Sequence, residues 1–516
     1  MWTSLLHNGI YFPVLYTPLP SSVKVLYDGK PVSLTPQQEE PAYLYAKYIG
    51  TEYVENKRFK KNFFNDWKKM LTNTVIKEFD KIDFTQVHNH ILKLREQKQT
   101  LSKEEKDKIK KAKDELLEPY KYCVVDGKQQ PVGNYIVEPP DIFKGRGDHP
   151  KNGMLKKRIN PSDVTINISK HTPIPKPNVP GTWGSVIHDQ SVMWLASWKE
   201  EVTGKNKYVF LGQESEQRMS KDKDKFDLSR KLKSKIKHIR RKYMDDLSSN
   251  DLKTRQIASA VYLIDKLALR VGNEKGEDEA ETVGVTSLKV DNVNFHSANN
   301  GDESNCKLEL DFLGKDSIRY QNTISVDLIF YKNIKDFISG KEKDDDIFDL
   351  INSSLLNSYL TSLMKHLTAK VFRTFNSSHL FSRELSKIDT SLSDEEKLNL
   401  YNKANKEVAS LCNHKKKVSK HFKEQLSKFD DRIKTLSSKK NKTKKQKDQI
   451  KLLKEKKKLK KDLRDLSLGT SKINYIDPRI TIAFLKKHNL KIEKVFSKSL
   501  LKKFKWAMDV ESDWTY

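Results

Sequence analysis

Between residues 418 and 467 two runs of apolar side chains carry heptad-type spacing: Phe422, Leu426, Phe429, Ile433 and Leu436 step by four and three, and Leu452, Leu459, Leu463 and Leu466 resume a seam. Steps of four and three keep one stripe of a helix apolar and leave the rest to water. Residues 437–445, between the two runs, contain no apolar side chain. The spacing predicts an antiparallel pair of helices with lysine-rich outer faces, projecting as a basic arm and not joining a globular core. Such an arm divides the chain, so four segments are expected: 1–215, 216–417, 418–467 and a small helical unit at 468–516.

Residues 1–215 mix short β-type stretches with Pro- and Gly-rich loops such as 11–20 and 131–140. Polar helical stretches are expected near 35–78 and 84–118, and strands at 191–198 and 207–212, an α+β pattern. Residues 216–417 are richer in helix. Ile257, Val261, Ile264 and Leu267 form an amphipathic stripe over 252–270, with Gly272 placed to end it. Leu308, Leu310 and Phe312 then alternate with Lys307, Glu309 and Asp311. A turn at 313–316 and a second strand from Ser317 make this a β-hairpin with Lys315 at its tip. In the last segment a helix is expected from Ile480 to Lys487. The fold class is therefore α+β and multidomain, with no repeat of fixed period.

The chain's 516 residues carry 98 Lys+Arg against 69 Asp+Glu, a formal net charge of +29. A field of that size favours a polyanion, and nucleic acid is the usual one. Charge alone fits a chromatin- or RNA-binding scaffold equally well. There is no GxxxxGK[ST]: Gly314-Lys315-Asp316 lacks the upstream glycine and the hydroxyl, which argues against an ATP-driven motor. There is no HExxH and no cluster of His and Cys, and the acidic runs 274–281 and 342–349 read as solvated faces. No metal and no cofactor are expected. Cys123, Cys306 and Cys412 are far apart, indicating neither a zinc ribbon nor a disulfide framework and suiting a reducing compartment. No run of about 18 apolar residues occurs, so no membrane span is expected. Met1-Trp2-Thr3-Ser4 lacks the form of a signal peptide.

Ser471-Lys472-Ile473-Asn474-Tyr475-Ile476-Asp477-Pro478-Arg479 resembles the active-site signature SKxNYxDPR of eukaryotic type IB DNA topoisomerases. Further segments resemble the family in the same order. Glu138-Pro139-Pro140 with residues 143–150 is similar to its DNA-clamp motif, and 267–274 to its first catalytic-arginine segment. Residues 311–320 are similar to its catalytic-lysine hairpin, 370–374 to its second arginine segment, and 411–414 to its histidine segment. The resemblance covers essentially the whole chain. It implies a DNA clamp: an α+β N-terminal half, a mostly helical catalytic core carrying the hairpin, a coiled-coil linker and a small C-terminal domain. It implies a catalytic set of Arg270, Lys315, Arg373, His414 and Tyr475, and DNA contacts from Lys144, Arg146, Asp316, Lys472 and Asn474. Arg146, Asp316 and Asn474 match positions that contact camptothecin-type poisons. The implied partner is double-stranded DNA held by a monomer in the nucleus, where the lysine runs 415–417 and 456–460 add support. The family's long charged N-terminal extension has no counterpart before Trp2, and the linker is short.

The chemistry needs these residue types. A tyrosine, with an ordinary pKa of about 10, both attacks phosphorus and leaves on reversal, so the bond energy is conserved and no ATP is consumed. Two guanidiniums and an imidazole can stabilise the five-coordinate transition state. A lysine at a mobile tip can protonate the leaving 5′-oxygen. Taken singly, each residue has a plainer explanation. Arg270 could serve a helix C-terminal dipole, Lys315 a turn, Arg373 a buried salt bridge beside Val371 and Phe372, and His414 an ordinary surface position. His149 reads as structural or DNA-contacting. A tyrosine recombinase uses a similar residue set, but the clamp motif and the basic arm argue against it.

Overall fold

The computed structural model describes residues 2–72, 74–273, 282–296, 306–416, 418, 421–438 and 443–516. The acidic run 274–281, part of the apolar-free stretch 437–445 and Lys417 lie outside the described residues. The chain forms two compact units, residues 2–218 and residues 219–273 with 282–516. The architecture mixes helices with several small sheets. Among the described residues no helix is long and apolar enough to cross a membrane.

The first unit is built around two apolar cores. In one, Tyr45 stacks on Phe63 at 4.5 Å and packs with Phe59, Trp67 and Phe84. The helical stretch expected near 35–78 is broken into Pro36–Ala46, Glu52–Glu55 and Lys57–Lys68. Gly50 at φ 81° interrupts it, and Asn56 then caps the third helix through Arg58 and Phe59. The stretch near 84–118 splits likewise into Thr85–Thr100 and Lys103–Leu117, because Ser102 and Glu105 form a capping box. The second core lies under a sheet ordered Ser185–Ile187, Val164–Asn167, Trp194–Lys199 and Asn206–Phe210. The strand expected from residue 191 starts at Trp194, because Asp189 draws the Ser191 N–H into a turn.

In the second unit the helix Leu252–Leu267 is capped by Asp251 and ends at Ala268, which adopts the left-handed conformation (φ 49°, ψ 35°). Gly272 is therefore not its C-cap. It crosses Gly284 at backbone distance, since a Cβ on Gly284 would lie 2.3 Å from the Gly272 Cα. That crossing lets Val285 N–H reach the Arg270 carbonyl at 2.9 Å and Thr286 N–H the Val271 carbonyl at 2.7 Å. Strands Lys307–Gly314 and Ile318–Ser325 pair antiparallel, with Gly314 opposite Ile318. Leu308, Leu310 and Phe312 are buried. The second strand starts one residue later than expected, because Asp316 (φ 70°) and Ser317 (φ 55°) both turn left-handed at the tip.

Helices Phe422–Ser437 and Lys444–Asp462 pack on each other, and the half-buried stripe of the first is the expected 422, 426, 429, 433 and 436. The pair is not wholly detached. Leu453, not Leu452, is buried together with Leu459, and the second helix lies on Asp394–Leu411. Lys456–Glu395 at 2.7 Å and Lys406–Asp462 at 2.9 Å tie it there. Helix Pro478–Lys487 sends Ile480, Phe484 and Leu485 into the main core, so 216–417 and 468–516 share one apolar interior.

Gly284→Ala forces two backbones apart. It should destabilise the second unit by about 1–3 kcal/mol, read as a lower denaturant midpoint. An unchanged midpoint contradicts the crossing.

Candidate active site

Several segments of the second unit line a cavity of about 120 Å³: 267–270, 283–284, 314–316, 411–415, Arg373 and Thr470. Arg270, Lys315, Arg373 and Lys415 supply cations to its wall, and Asp316 is the one carboxylate among the described residues lining it.

Arg373, on helix Ala369–Leu385, is only 4% exposed. Its guanidinium donates from Nη1 to the Ala268 carbonyl and from Nη2 to the Cys412 carbonyl at 3.1 Å. It is thus fixed by neutral main chain, not by the carboxylate that its apolar neighbours suggested, and among the described residues it forms no ion pair. Arg270 lies three residues beyond the helix end, so the helix-dipole explanation does not apply. Burial, reinforced by Arg373, lowers its pKa.

His414 is no surface residue: it is 4% exposed. The left-handed Asn413 (φ 51°) turns the chain so that the His414 N–H donates to the Ala409 carbonyl at 2.8 Å. Nδ1 lies 2.7 Å from the Ser471 hydroxyl, and the ring stacks on Tyr475 at 5.1 Å and 25°. Burial, then Arg373 and Arg270, pull the imidazole down to about 3, so it is neutral at physiological pH. Among the described residues, Nε of Arg373 and Nε2 of His414 are buried without a hydrogen-bond partner.

Tyr475 follows helix Leu468–Asn474, its N–H donating to the Ser471 carbonyl at 2.9 Å. The Arg373 guanidinium carbon is 4.9 Å from its ring centroid. The Ser378 hydroxyl donates to the Tyr475 carbonyl and accepts from the Asp477 N–H, both at 3.0 Å. Asp477, fully buried, caps the next helix and chelates Arg479, whose Nη1 also meets Asp227 at 2.7 Å. Trp506 and Trp514 pack on that guanidinium at 5.3 and 5.1 Å. Ser378, Ser471, Asp477 and Arg479 are the supports that sequence reasoning missed. The signature segment contained three of them, whereas Ser378 carried no signal.

Lys315 is exposed at the tip of the strand pair. Asn413 Nδ2 and Lys415 Nζ donate to the Arg319 carbonyl at 3.3 and 3.1 Å, fastening the second strand to the His414 loop. Asn474 is exposed and donates to the Thr470 carbonyl at 3.1 Å. Lys472 does not line the cavity: its ammonium donates to the Val495 carbonyl at 3.0 Å, and burial lowers its pKa. In the first unit, Lys144 donates to Tyr48 and, at 3.0 Å, to Asp141. Arg146 is exposed in the loop that Gly145 and Asn152 close at 2.6 Å. His149 packs edge-on against Phe143 at 5.0 Å and accepts from the Lys151 N–H, a structural role in that loop.

A small cationic cavity with two unpartnered buried nitrogens and a phenol stacked at its side is suited to an oxyanion that a tyrosine can reach. Such a cavity has the chemistry to take a phosphoryl-type group. Comparison with known proteins gives the family. Residues 1–211 match the model of the eukaryotic DNA topoisomerase I DNA-binding fragment, 214–447 its catalytic core and 447–516 the C-terminal topoisomerase domain. DNA topoisomerase 1 of Homo sapiens is 41% identical over 549 residues, covering 99% of this chain and 71% of that protein. DNA topoisomerase 1 of Caenorhabditis elegans is 44% identical over 539 residues, with 99% and 67% covered. DNA topoisomerase 1 beta of Arabidopsis thaliana is 44% identical over 552 residues, and the chain spans 59% of its length. The chain belongs to the eukaryotic DNA topoisomerase I family.

Neutral burial of His414 has a pH signature. Its pKa is about 6.5 unfolded and about 3 folded. Between those values the unfolded chain binds the additional proton, so stability falls as pH drops below 6.5 and is fully present above it. Denaturant titrations between about pH 4 and 7 should show a shallower dependence for His414→Gln; parallel curves contradict the assignment. Arg479→Ala leaves the buried Asp477 without its ion-pair partner, while Asp227 keeps Lys223 at 2.7 Å; breaking a buried pair typically costs about 3–5 kcal/mol. The thermal midpoint should fall accordingly, and an unaltered midpoint contradicts that anchor.

Proposed function

We propose that this chain relaxes supercoiled duplex DNA without ATP or metal, by transient cleavage of one strand. The observation that carries this reading is the Tyr475 ring lying against both His414 and Arg373 at the cationic cavity. In the proposed reaction the Tyr475 phenolic oxygen attacks a backbone phosphorus, forming a 3′-phosphotyrosyl bond and breaking the bond to the 5′-oxygen. Water takes the phenolic proton. Arg270, Arg373 and His414 stabilise the charge that develops on the non-bridging oxygens; one such donor is worth about 2.7–4 kcal/mol. His414 acts as a hydrogen-bond donor and not as the base, in keeping with its depressed basicity. Lys315, at the tip of the hairpin, gives a proton to the leaving 5′-oxygen. The free 5′ side rotates, and the same steps in reverse reseal the strand.

The remaining assignments follow the family. The N-terminal region 1–215 and the core 216–417 clamp the duplex, with Lys144, Arg146, Asp316, Lys472 and Asn474 at the DNA. The coiled-coil linker 418–467 lies near the rotating DNA and slows it by phosphate attraction, which salt weakens. Residues 468–516 are the domain that carries the nucleophile. The protein acts as a monomer in the nucleus, and camptothecin-type poisons bind near Arg146, Asp316 and Asn474. The anchoring of Lys472 on Val495 makes its contribution electrostatic at a distance.

Supercoiled plasmid incubated with the chain in EDTA, without ATP, should relax, and Tyr475→Phe should bind the plasmid but leave it supercoiled. Relaxation by that variant removes Tyr475 from the mechanism. Lys315→Ala should slow cleavage of ordinary DNA far more than cleavage of a substrate whose leaving group is a 5′-thiolate, which needs no proton. Equal slowing of both contradicts the acid role.

A further inference from the structure

Ser471 is fully buried in helix Leu468–Asn474. Among the described residues its hydroxyl meets one hydrogen-bonding partner, His414 Nδ1 at 2.7 Å. We infer that Ser471 is a positioning residue: its hydroxyl donates to Nδ1 and so fixes the His414 tautomer that carries its proton on Nε2. This rests on the reaction proposed above and adds to it the group that sets which face of the imidazole can stabilise a phosphoryl oxygen.

The argument is a count of protons. A neutral imidazole has one N–H, and the partner of one nitrogen decides the role of the other. If Nδ1–H donated to Ser471, the buried serine proton would have no acceptor, an arrangement that folded proteins avoid. The Nε2 lone pair would also be presented to an oxyanion, which repels it. If Ser471 donates, its proton is satisfied and Nε2–H becomes a donor. It then joins the Arg373 Nε–H as a second buried donor without a protein partner, on residues that line one cavity. Two such donors together suit an incoming anion better than a donor beside an acceptor. Geometry holds the ring for this task. The His414 main chain is tied through its N–H to Ala409 and through its carbonyl to the Ser467 N–H at 2.7 Å, while Tyr475 covers a face of the ring.

The same residue is coupled to the nucleophile. The Ser471 carbonyl accepts the N–H of Tyr475 at 2.9 Å and the N–H of Ile476 at 3.0 Å. One turn of helix therefore sets both the backbone of the attacking residue and the orientation of the donor that receives the developing charge. The Ser471 main chain does the first and its side chain the second, which makes the two separable by mutation.

The test compares Ser471→Thr with Ser471→Val in the full-length chain. The two variants share one added methyl and are nearly the same shape, so most of the packing cost is common to both and their difference reports chiefly the hydroxyl. Single-turnover cleavage of a suicide DNA substrate should be about 10–100-fold slower for Val than for Thr, the range seen when an orienting partner of a functional histidine is removed elsewhere. In a His414→Ala background the two should be equal. A scissile phosphorothioate of defined configuration adds a readout that folding cannot mimic. Wild type and Ser471→Thr should distinguish the two diastereomers to the same degree, while Ser471→Val and His414→Ala should shift that ratio together. Equal rates for Thr and Val, or a Val penalty that persists without His414, overturn the assignment. Failure of wild type to cleave, or full activity of His414→Ala, overturns instead the reaction on which it rests.

Discussion

The site depends on the way Arg373 is held. Its guanidinium binds two main-chain carbonyls, one from the left-handed end of helix Leu252–Leu267 and one from the turn after helix Asp394–Leu411. A carboxylate in either place would also have fixed the side chain, but it would have cancelled the charge. Carbonyls fix the fork and leave a full positive charge buried beside the cavity. Burial acts first on the neighbouring groups, and that field adds to it. Arg270 is held below its ordinary pKa, and His414 is kept neutral. An anion entering the cavity relieves all three, so the site stores unfavourable electrostatics that a phosphate would discharge.

Tyr475 does not position itself. Its ring is held by His414 and Arg373, and its backbone by Ser471 on one side and Ser378 on the other. Two residues further on, Asp477 starts a new helix and binds Arg479, which reaches Asp227 on the long helix Glu216–Asp246. Trp506 and Trp514, from near the end of the chain, cover that cation. Residues separated by more than 250 positions thus meet around one short turn. In the proposed reaction a phenol has to meet phosphorus in line and gains from so many fixed contacts, because misplacement of even an ångström is costly for such chemistry.

Much of this was legible in the sequence, for definable reasons. Period-two burial of Leu308, Leu310 and Phe312 and the half-buried stripe of Phe422 to Leu436 follow from the pleat and the helical repeat alone. The placement of Arg270, Lys315, Arg373 and His414 around one cavity was not readable from any of them singly; it needed the resemblance carried by their flanking residues. Two features were misread. Ala268 ends its helix although Gly272 was the better candidate, because the glycine is consumed by the Gly284 crossing. Leu453 is buried in place of Leu452, because the second helix of the arm answers to Asp394–Leu411 as well as to its partner. Lys472 is turned inward to Val495, a main-chain acceptor that no local pattern announces. Ser378 was invisible for a similar reason: its partners are backbone groups almost a hundred residues away, at Tyr475 and Asp477.

The most direct test of the account is to locate the bond itself. The chain can be trapped on a nicked DNA substrate, digested with protease and nuclease, and the nucleotide-bearing peptide sequenced by mass spectrometry. Nucleotide attached through its 3′-phosphate to Tyr475, and to none of the other 18 of the chain's 19 tyrosines, is the expected result. Attachment elsewhere, or through a 5′-phosphate, would contradict the arrangement of Arg270, Arg373 and His414 around this phenol.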